Sequence, residues 1–500
     1  MRRAKYKLIR ARFLLPMSDA IGRTARIADG YVLTSGGEIV EAGPYRTEIG
    51  ERILMRCRGE LFVIGAPGAL REQEIPQHHG VLLPGFIKAH GHDHESPIIG
   101  IAKDQPLTHW LDHAVNLFMG FIDERAESLT AEFGSPPSAV AYRKARLDDV
   151  SYGITSALTH HCNFNKRHVR ELVEANREAG TRLIIAVGSQ DRHYDRRILD
   201  TPRGAIERLD QCAREFARCE RVRIIPGPDQ FFSNGPELLG GLKQWARDHG
   251  ALIHIHSSEE PRTTQWFVKT YGMTEVEYGR SIEFLDGDTM LAHQVNCTDH
   301  DLTIIRDTGA MVVHNPLANA ILGSGMPPLI RMLEMGIPVA ISTDGSGSAD
   351  NQNIINAARL ASQYQKARHT DATLLPAQKV LEMITREPAR MLKLNAGSLE
   401  PGRDADLVLL DLRGPNLTPT RLDNVVENII WAANGCEVRY VMAGGELLLD
   451  DYRFTRVDDA RIKSDVQRLS ELLVEYARAA PEIKGTGAHQ ENSAGSNLVY

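Results

Sequence analysis

The sequence predicts an α/β protein, a (β/α)8 barrel inserted in a small β-sandwich domain built from both chain ends. Three observations lead there. Between residues 66 and 394, eight short apolar, β-branched runs alternate with longer segments of helical apolar spacing. Strand-and-turn character without long helices occupies residues 1–65 and returns over 395–456. The polar residues with the strongest chemistry stand at the ends of several different predicted strands. A closed barrel brings such ends to one mouth, and an open doubly wound sheet does not.

The bulk properties bound the rest. A chain of 500 residues suits a barrel of about 250 residues plus a second module. Hydrophobic content of 42% and charged content of 25% are ordinary for a soluble globular protein. A net charge of -7 offers no electrostatic footprint for nucleic acid or an anionic membrane, and neither is expected as a partner. No apolar run approaches the ~18 residues of a membrane span. Met1-Arg2-Arg3-Ala4-Lys5 is basic, but no long apolar segment or small-residue cleavage site follows, so no signal peptide is expected. Six cysteines without a C-x-x-C pair are expected to be reduced thiols of a cytoplasmic protein.

In order along the chain, strands are expected at 6–9, 25–28, 31–34 and 38–40, separated by glycine-containing turns as in hairpins. Residues 65–80 read as a connection. The barrel strands are expected at 82–88, 153–159, 182–187, 222–226, 251–255, 289–292, 310–313 and 338–342. Helical spacing at 169–179, 204–216 and 301–307 supplies right-handed crossovers between parallel strands. Runs at 406–410, 437–442 and 446–449 complete the module that the N-terminus begins. Residues 457–480 form an amphipathic helix with Ile462, Val466, Leu469, Leu473 and Tyr476 on one face, to pack on the barrel or on another subunit. The tail from 481 to 500 is rich in Gly, Ser, Asn and Gln and is expected to be disordered.

The chemistry centres on the run Leu82-Leu83-Pro84-Gly85-Phe86-Ile87-Lys88-Ala89-His90-Gly91-His92. Residues i and i+2 of a strand share a side, so His90 and His92 reach one point at the strand end and make half of a metal site. In a chain with 19 His the pair alone is a weak signal. Further on, His254 and His256 share a face, Glu259 follows three residues later, and His293 and Asp344 end two other strands. Each has an ordinary explanation: a core histidine at 293, a turn residue before Gly345, a solvated glutamate at 259. That all of them fall at predicted strand C-termini raises the site reading above those explanations. Three neutral imidazoles and one carboxylate around an open position suit Zn2+ or Fe2+.

The motifs P-G-F-I-x-x-H-x-H at 84–92, G-I-T at 153–155, H-x-x-E at 256–259, His293, His314-Asn315-Pro316 with Asn319, S-T-D-G at 342–345 and L-E-P-G-R-D-A-D-L-V at 399–408 run over nearly the whole chain. Together they resemble the amidohydrolase superfamily, specifically its mononuclear aminohydrolase branch of guanine deaminase, S-adenosylhomocysteine/methylthioadenosine deaminases and chlorotriazine hydrolases. The resemblance implies that His90, His92, His256 and Asp344 ligate one divalent metal per chain, with zinc favoured and iron the alternative. It implies that Glu259 shuttles protons and that His293 orients the hydroxide or polarises the substrate. Asp344 would also take the proton of the attacking water. The implied reaction is hydrolytic deamination of an amino-substituted N-heteroaromatic ring such as a purine, pterin, pyrimidine or triazine, with hydroxide generated at the metal releasing ammonia. Relatives are commonly dimers or larger, so a homo-oligomer is expected. No Lys occurs in Val222–Pro226 to act as the bridging ligand of the dinuclear branch, which favours one metal.

The sequence also departs from that pattern. Asp93-His94-Glu95-Ser96 follow the first histidines, as substrate contacts or as solvated loop residues. Asp229, followed by Gln230, stands where several relatives carry histidine. Trp110, in a segment resembling a helix that covers the pocket, is a stacking wall or helix core. Substrate contacts are expected at Asp93, Trp110, Asp229, Gln230, Asn315 and Asn319. The doublet His160-His161 reads as ordinary rather than site-lining. Rival functions are hydrolysis of a cyclic amide or of a carbon–halide bond at the same metal site, and an inactive scaffold, against which the complete set of site residues argues.

Overall fold

A computed structural model describes residues 4–69 and 71–479. Strand β1 (Tyr6–Leu14) pairs antiparallel with β2 (Ile27–Ser35), which turns through Gly36-Gly37 into β3 (Glu38–Pro44). The two strands expected at 25–28 and 31–34 are one. Gly30 does not mark a turn there: it lies opposite Ala11, where an added Cβ would come within 2.2 Å of the Leu14 Cβ. The glycine serves close packing inside a strand. Strands β4 (Leu61–Val63) and β5 (His78–Pro84) both pair parallel with β1.

The run expected as one strand over 82–88 is divided between two sheets. β5 ends at Pro84, which cannot donate to a ladder, and β6 (Phe86–Lys88) opens the barrel. Gly85 lies between them, where a side chain would collide with Thr155 Oγ1 at 2.2 Å. The chain therefore enters the barrel at Gly85, and the segment expected to be a connection contributes a sheet strand.

The barrel strands follow as β7 (Ile154–His161), β8 (Arg182–Ser189), β9 (Val222–Pro228), β10 (Ile253–Ser257), β11 (Thr289–His293), β12 (Met311–His314) and β13 (Val339–Ile341). They form two parallel runs, β6 to β9 and β10 to β13. A parallel bridge between Gln230 and His256 joins the runs on one side. On the other side residues 383–384 are wedged in, with Ile87 N donating to Ile384 O and Ile341 N to Met383 O, both at 3.0 Å. Alternation divides the side chains: Ile184 and Ala186 of β8 face the barrel interior with Leu158 and Ile225, while Leu183, Ile185 and Val187 pack outward on the helices. Several strands run further than the apolar pattern indicated. The ladder continues through buried polar residues at the mouth, such as His160, His161 and Ser257.

On its way back the chain forms β14 (Leu407–Asp411), β15 (Val438–Ala443), β16 (Glu446–Asp450) and β17 (Arg453–Phe454). β14 pairs antiparallel with β5, so both chain ends build one nine-stranded sheet. Leu82, Leu407 and Leu409 join Ile9, Val32 and Met442 in that sheet's own core. Val81, Leu83, Val408 and Leu410 point the other way, into the barrel's outer core. Helix Asp459–Ala479 docks on the barrel side: Val466, Leu469 and Leu473 enter the same core, and Tyr476 Oη donates to Glu124 at 2.6 Å. The tail from 481 lies outside the described residues. Among the described residues no helix is long and apolar enough to cross a membrane, and the six cysteines are free.

Candidate active site

The mouth of the barrel is held from beneath by buried charge. Lys88, the last residue of β6, donates to Asp149 Oδ1 at 2.7 Å and to Gln352 Oε1 at 3.0 Å. Arg146 bridges Asp149 at 2.8 Å and Asp93 at 2.7 Å. Gln352 in turn donates to the carbonyl of Asp344 at 3.1 Å. Two cations and two carboxylates, all buried, thus tie the His90–His92 turn to the loop that carries Asp344. Removing any one member would leave an unpaired buried charge.

Above this network the donors converge. His90 Nε2 and His92 Nε2 lie 3.2 and 3.6 Å from Asp344 Oδ1. His92 Nε2 and His256 Nε2 are 3.1 Å apart. His92 Nδ1 donates to the carbonyl of His160 at 3.0 Å, and His256 Nδ1 to the carbonyl of Asp229 at 2.8 Å. A carbonyl only accepts, so each neutral ring carries its proton on Nδ1 and turns an Nε2 lone pair to the other. Two lone pairs at that distance repel unless a cation lies within reach of both. His90 Nε2 is likewise buried with no hydrogen-bond partner. Imidazole donors with one carboxylate, each ring steadied from behind, fit a divalent cation.

Behind this set, His90 Nδ1 lies 3.2 Å from His254 Nε2, and His254 Nδ1 lies 3.0 Å from His160 Nδ1. His254 therefore backs His90 and does not reach the pocket. His160, read from sequence as ordinary, belongs to this layer, with Nε2 3.7 Å from Asp229 Oδ1. Its neighbour His161 turns away toward Tyr142. Burial, reinforced by the neighbouring imidazoles, pushes His90, His160 and His254 well below the usual histidine range and keeps them neutral.

His293 Nε2 faces the pocket, 3.5 Å from Glu259 Oε2 and 3.7 Å from Asp344 Oδ2. The amides of Asn315 and Asn319 lie 3.4 and 3.0 Å from its Nδ1. These two asparagines meet the His293 ring and do not line the pocket. Burial first, and then the charge of Asp344, push Glu259 well above the usual carboxylate range, which favours its protonated form. His293 and Asp344 have left-handed backbone, with φ of 77° and 71°. Such conformations in non-glycine residues store strain and cluster at functional sites.

The pocket opens to solvent and, open solvent included, spans about 490 Å3. Leu107, Trp110, Leu111, Val115 and Leu322 give it an apolar arc, while Asp229 and Gln230 stand on its polar wall. Trp110 is both pocket lining and part of the main core. Asp93, His94, Glu95 and Ser96 are all buried, which overturns the solvated-loop reading. His94 and Glu95 line the pocket, whereas Asp93 is turned to Arg146. Glu95 accepts from the backbone N–H groups of Gly347 and Ser348, and burial together with Asp344 pushes it up to about 8. Sequence reasoning missed Tyr194, Cys162 and Asn163, which line the pocket from the segments that follow β7 and β8. Nothing local marks them, because only the closed barrel sets them beside Asp229.

Known proteins resemble this chain in sequence and in fold. The model of the amidohydrolase family matches residues 81–448. The chain is 34% identical over 379 residues to a 5-methylthioadenosine/S-adenosylhomocysteine deaminase of Desulfovibrio desulfuricans, covering 76% of this chain and 82% of that one. It is 32% identical over 430 residues to a 5'-deoxyadenosine deaminase of Methanothermobacter thermautotrophicus, covering 84% and 93%. Among solved structures, an adenosine deaminase of Xanthomonas campestris with bound zinc shares the fold with a TM-score of 0.79 at 20% identity, over 94% of this chain and 98% of that one.

Proposed function

The chain belongs to the amidohydrolase family, and from that premise we propose that it is a metal-dependent hydrolytic deaminase of an amino-substituted N-heteroaromatic ring. It is a hydrolase of carbon–nitrogen bonds other than peptide bonds. The relatives' names put adenine nucleosides with altered 5' substituents first among the rings to test. One observation carries the reading. The Glu259 carboxyl group, which burial biases toward its protonated form, and Asp344 Oδ2 both lie within 3.7 Å of His293 Nε2, beside the converged donors of His90, His92 and His256.

His90, His92, His256 and Asp344 would hold one divalent cation, zinc by preference for this donor set and iron as the alternative. A divalent ion there supplies Lewis acidity, which makes water a source of hydroxide near neutral pH. Asp344 Oδ2 takes the proton of the water that adds to the ring carbon. Glu259 delivers its proton to the neighbouring ring nitrogen, and His293 meets the oxygen as negative charge develops. The amino group leaves as ammonia with the proton held by Asp344. The hydroxyl proton of the adduct returns to Glu259 as the ring carbonyl forms. Each proton given up by a side chain is thereby restored. The apolar arc of Trp110 and Leu111 holds the ring face and limits access of bulk water.

The test is ammonia release by metal-loaded protein against amino-substituted purines, nucleosides, pterins, pyrimidines and triazines. The expected result is turnover of one ring class with one ammonia per product carbonyl. Product without ammonia, by halide loss or amide opening, would overturn the deaminase reading while leaving the hydrolase.

A further inference from the structure

The pocket is rich in carboxyl groups. Glu95, Asp229, Glu259 and Asp344 all line it, and among the described residues no Lys or Arg does. Basic groups nearby are already committed. The Lys103 ammonium, 6.0 Å from the Trp110 ring, is paired with Asp350 at 2.8 Å. Lys88 and Arg146 are held in the buried pairs with Asp149 and Asp93.

Three of these carboxyl groups have work in the proposed reaction or in the loop that supports it. Asp344 belongs to the donor set, Glu259 is the acid, and Glu95 ties down the Gly347-Ser348 backbone. Asp229 steadies His256 chiefly through its backbone carbonyl, at 2.8 Å from Nδ1, while its carboxylate stands further off, with Oδ1 3.6 Å from that nitrogen. Its carboxylate accepts from Tyr194 Oη at 2.5 Å and from the Cys162 thiol, and faces His160 Nε2 at 3.7 Å. The tyrosine and thiol bring no positive charge. Its neighbour Gln230 adds amide donors and acceptors, and Trp110 and Leu111 add an apolar surface.

Building on the deaminase reading, we propose that this pocket selects amino-heterocycles that are neutral or cationic overall and present an N–H or O–H donor to Asp229, and rejects those with a net negative charge such as a phosphate. Asp229 is the specificity-determining residue. A buried acceptor rewards a donor and penalises a like charge held close to it in a desolvated site. The apolar arc rewards an uncharged substituent on the same ring.

The test uses the full metal-loaded chain and three probes that share the adenine ring: adenosine, 5'-amino-5'-deoxyadenosine and adenosine 5'-monophosphate. Binding is measured by calorimetry and ammonia release is measured separately. Adenosine and the amine are expected to bind at least 30-fold more tightly than the monophosphate. Asp229→Asn, which keeps size and leaves the carbonyl on His256, is expected to retain one metal per chain and to narrow that ratio at least tenfold. Equal or tighter binding of the monophosphate overturns the inference, and so does an unchanged ratio in the variant. Ammonia released as readily from the monophosphate as from adenosine removes the charge selection and leaves the deaminase reading intact. The expected binding ratio without ammonia from any probe removes the deaminase reading and keeps the charge selection. Failure of all three probes to bind overturns the inference along with the adenine ring as its frame.

Discussion

His92 Nε2 and His256 Nε2 stand 3.1 Å apart, and each ring has its proton committed to a backbone carbonyl on the far side. His92 follows β6 and His256 lies on β10, the first and fifth of the eight barrel strands, so this opposition is a product of closure.

Metal removal tests it directly. A ligand that binds only the native state stabilises by about 4 kcal/mol at a thousandfold excess over its Kd. Chelation is expected to lower Tm by several degrees, and added zinc to restore it. His92→Asn should lower metal content well below one per chain and turnover by at least a thousandfold. Elemental analysis beside a melting curve decides, and an unchanged Tm after complete stripping would count against a bound ion.

Glu259→Gln keeps the shape and the donor set but removes the mobile proton. Metal content should stay at one per chain while kcat falls by about 10^2 to 10^4. Near-normal turnover in a variant with full metal would remove Glu259 from the proton path.

Asn319 lies 3.0 Å from His293 Nδ1. Replacing it with Ala frees the ring to rotate away from the reacting oxygen. The expected loss is about 10- to 100-fold in kcat, with metal content and KM little changed. A change in KM alone would make Asn319 a substrate contact instead.

Asp93 is paired with Arg146 and does not line the pocket. Breaking a buried pair by removing one partner costs about 3–5 kcal/mol. Asp93→Ala is expected to unfold at markedly lower denaturant concentration, while the folded fraction keeps its KM. A normal unfolding curve with a raised KM would restore Asp93 as a substrate contact.

Glu275 accepts from the backbone N–H of Ser258, next to Glu259. Burial pushes it up to about 7, against about 4.3 in an unfolded chain. Between those values the folded state holds a proton that the unfolded state has lost, so stability falls as pH rises. The contribution is fully present below about pH 4 and is gone once pH has risen through about 7. Glu275→Gln should flatten the fall of Tm between about pH 4 and pH 7. An equal slope in the variant would place the titrating group elsewhere.

Much of this protein is legible in its amino-acid sequence. Period-two alternation and helical spacing follow from local geometry, and that is enough to mark eight barrel strands and two flanking pieces of sheet. The H-x-H spacing marks His90 and His92 as a pair from sequence, although the strand expected to carry them ends at Lys88 and both stand in the turn beyond it. His256 and His293 fall in the last residues of their strands, and Glu259 and Asp344 follow just beyond theirs. Apolar pattern fails where its cause is not local. The continuous run over 82–88 hides a change of sheet at Gly85, because apolar residues suit either sheet equally. Strand ends at His161 and Ser257 are polar yet buried, which no local pattern records.

What the sequence determined by itself was the inventory: fold class, donor types, their order, and the acid that follows His256. Only the tertiary structure decided which of them touch. Closure set His254 and His160 behind His90, turned Asp93 from the pocket to Arg146, and brought Tyr194 and Cys162 to Asp229. Those contacts join residues tens of positions or more apart. They depend on strand register and on the burial of charge, and neither is a property of any one stretch of chain.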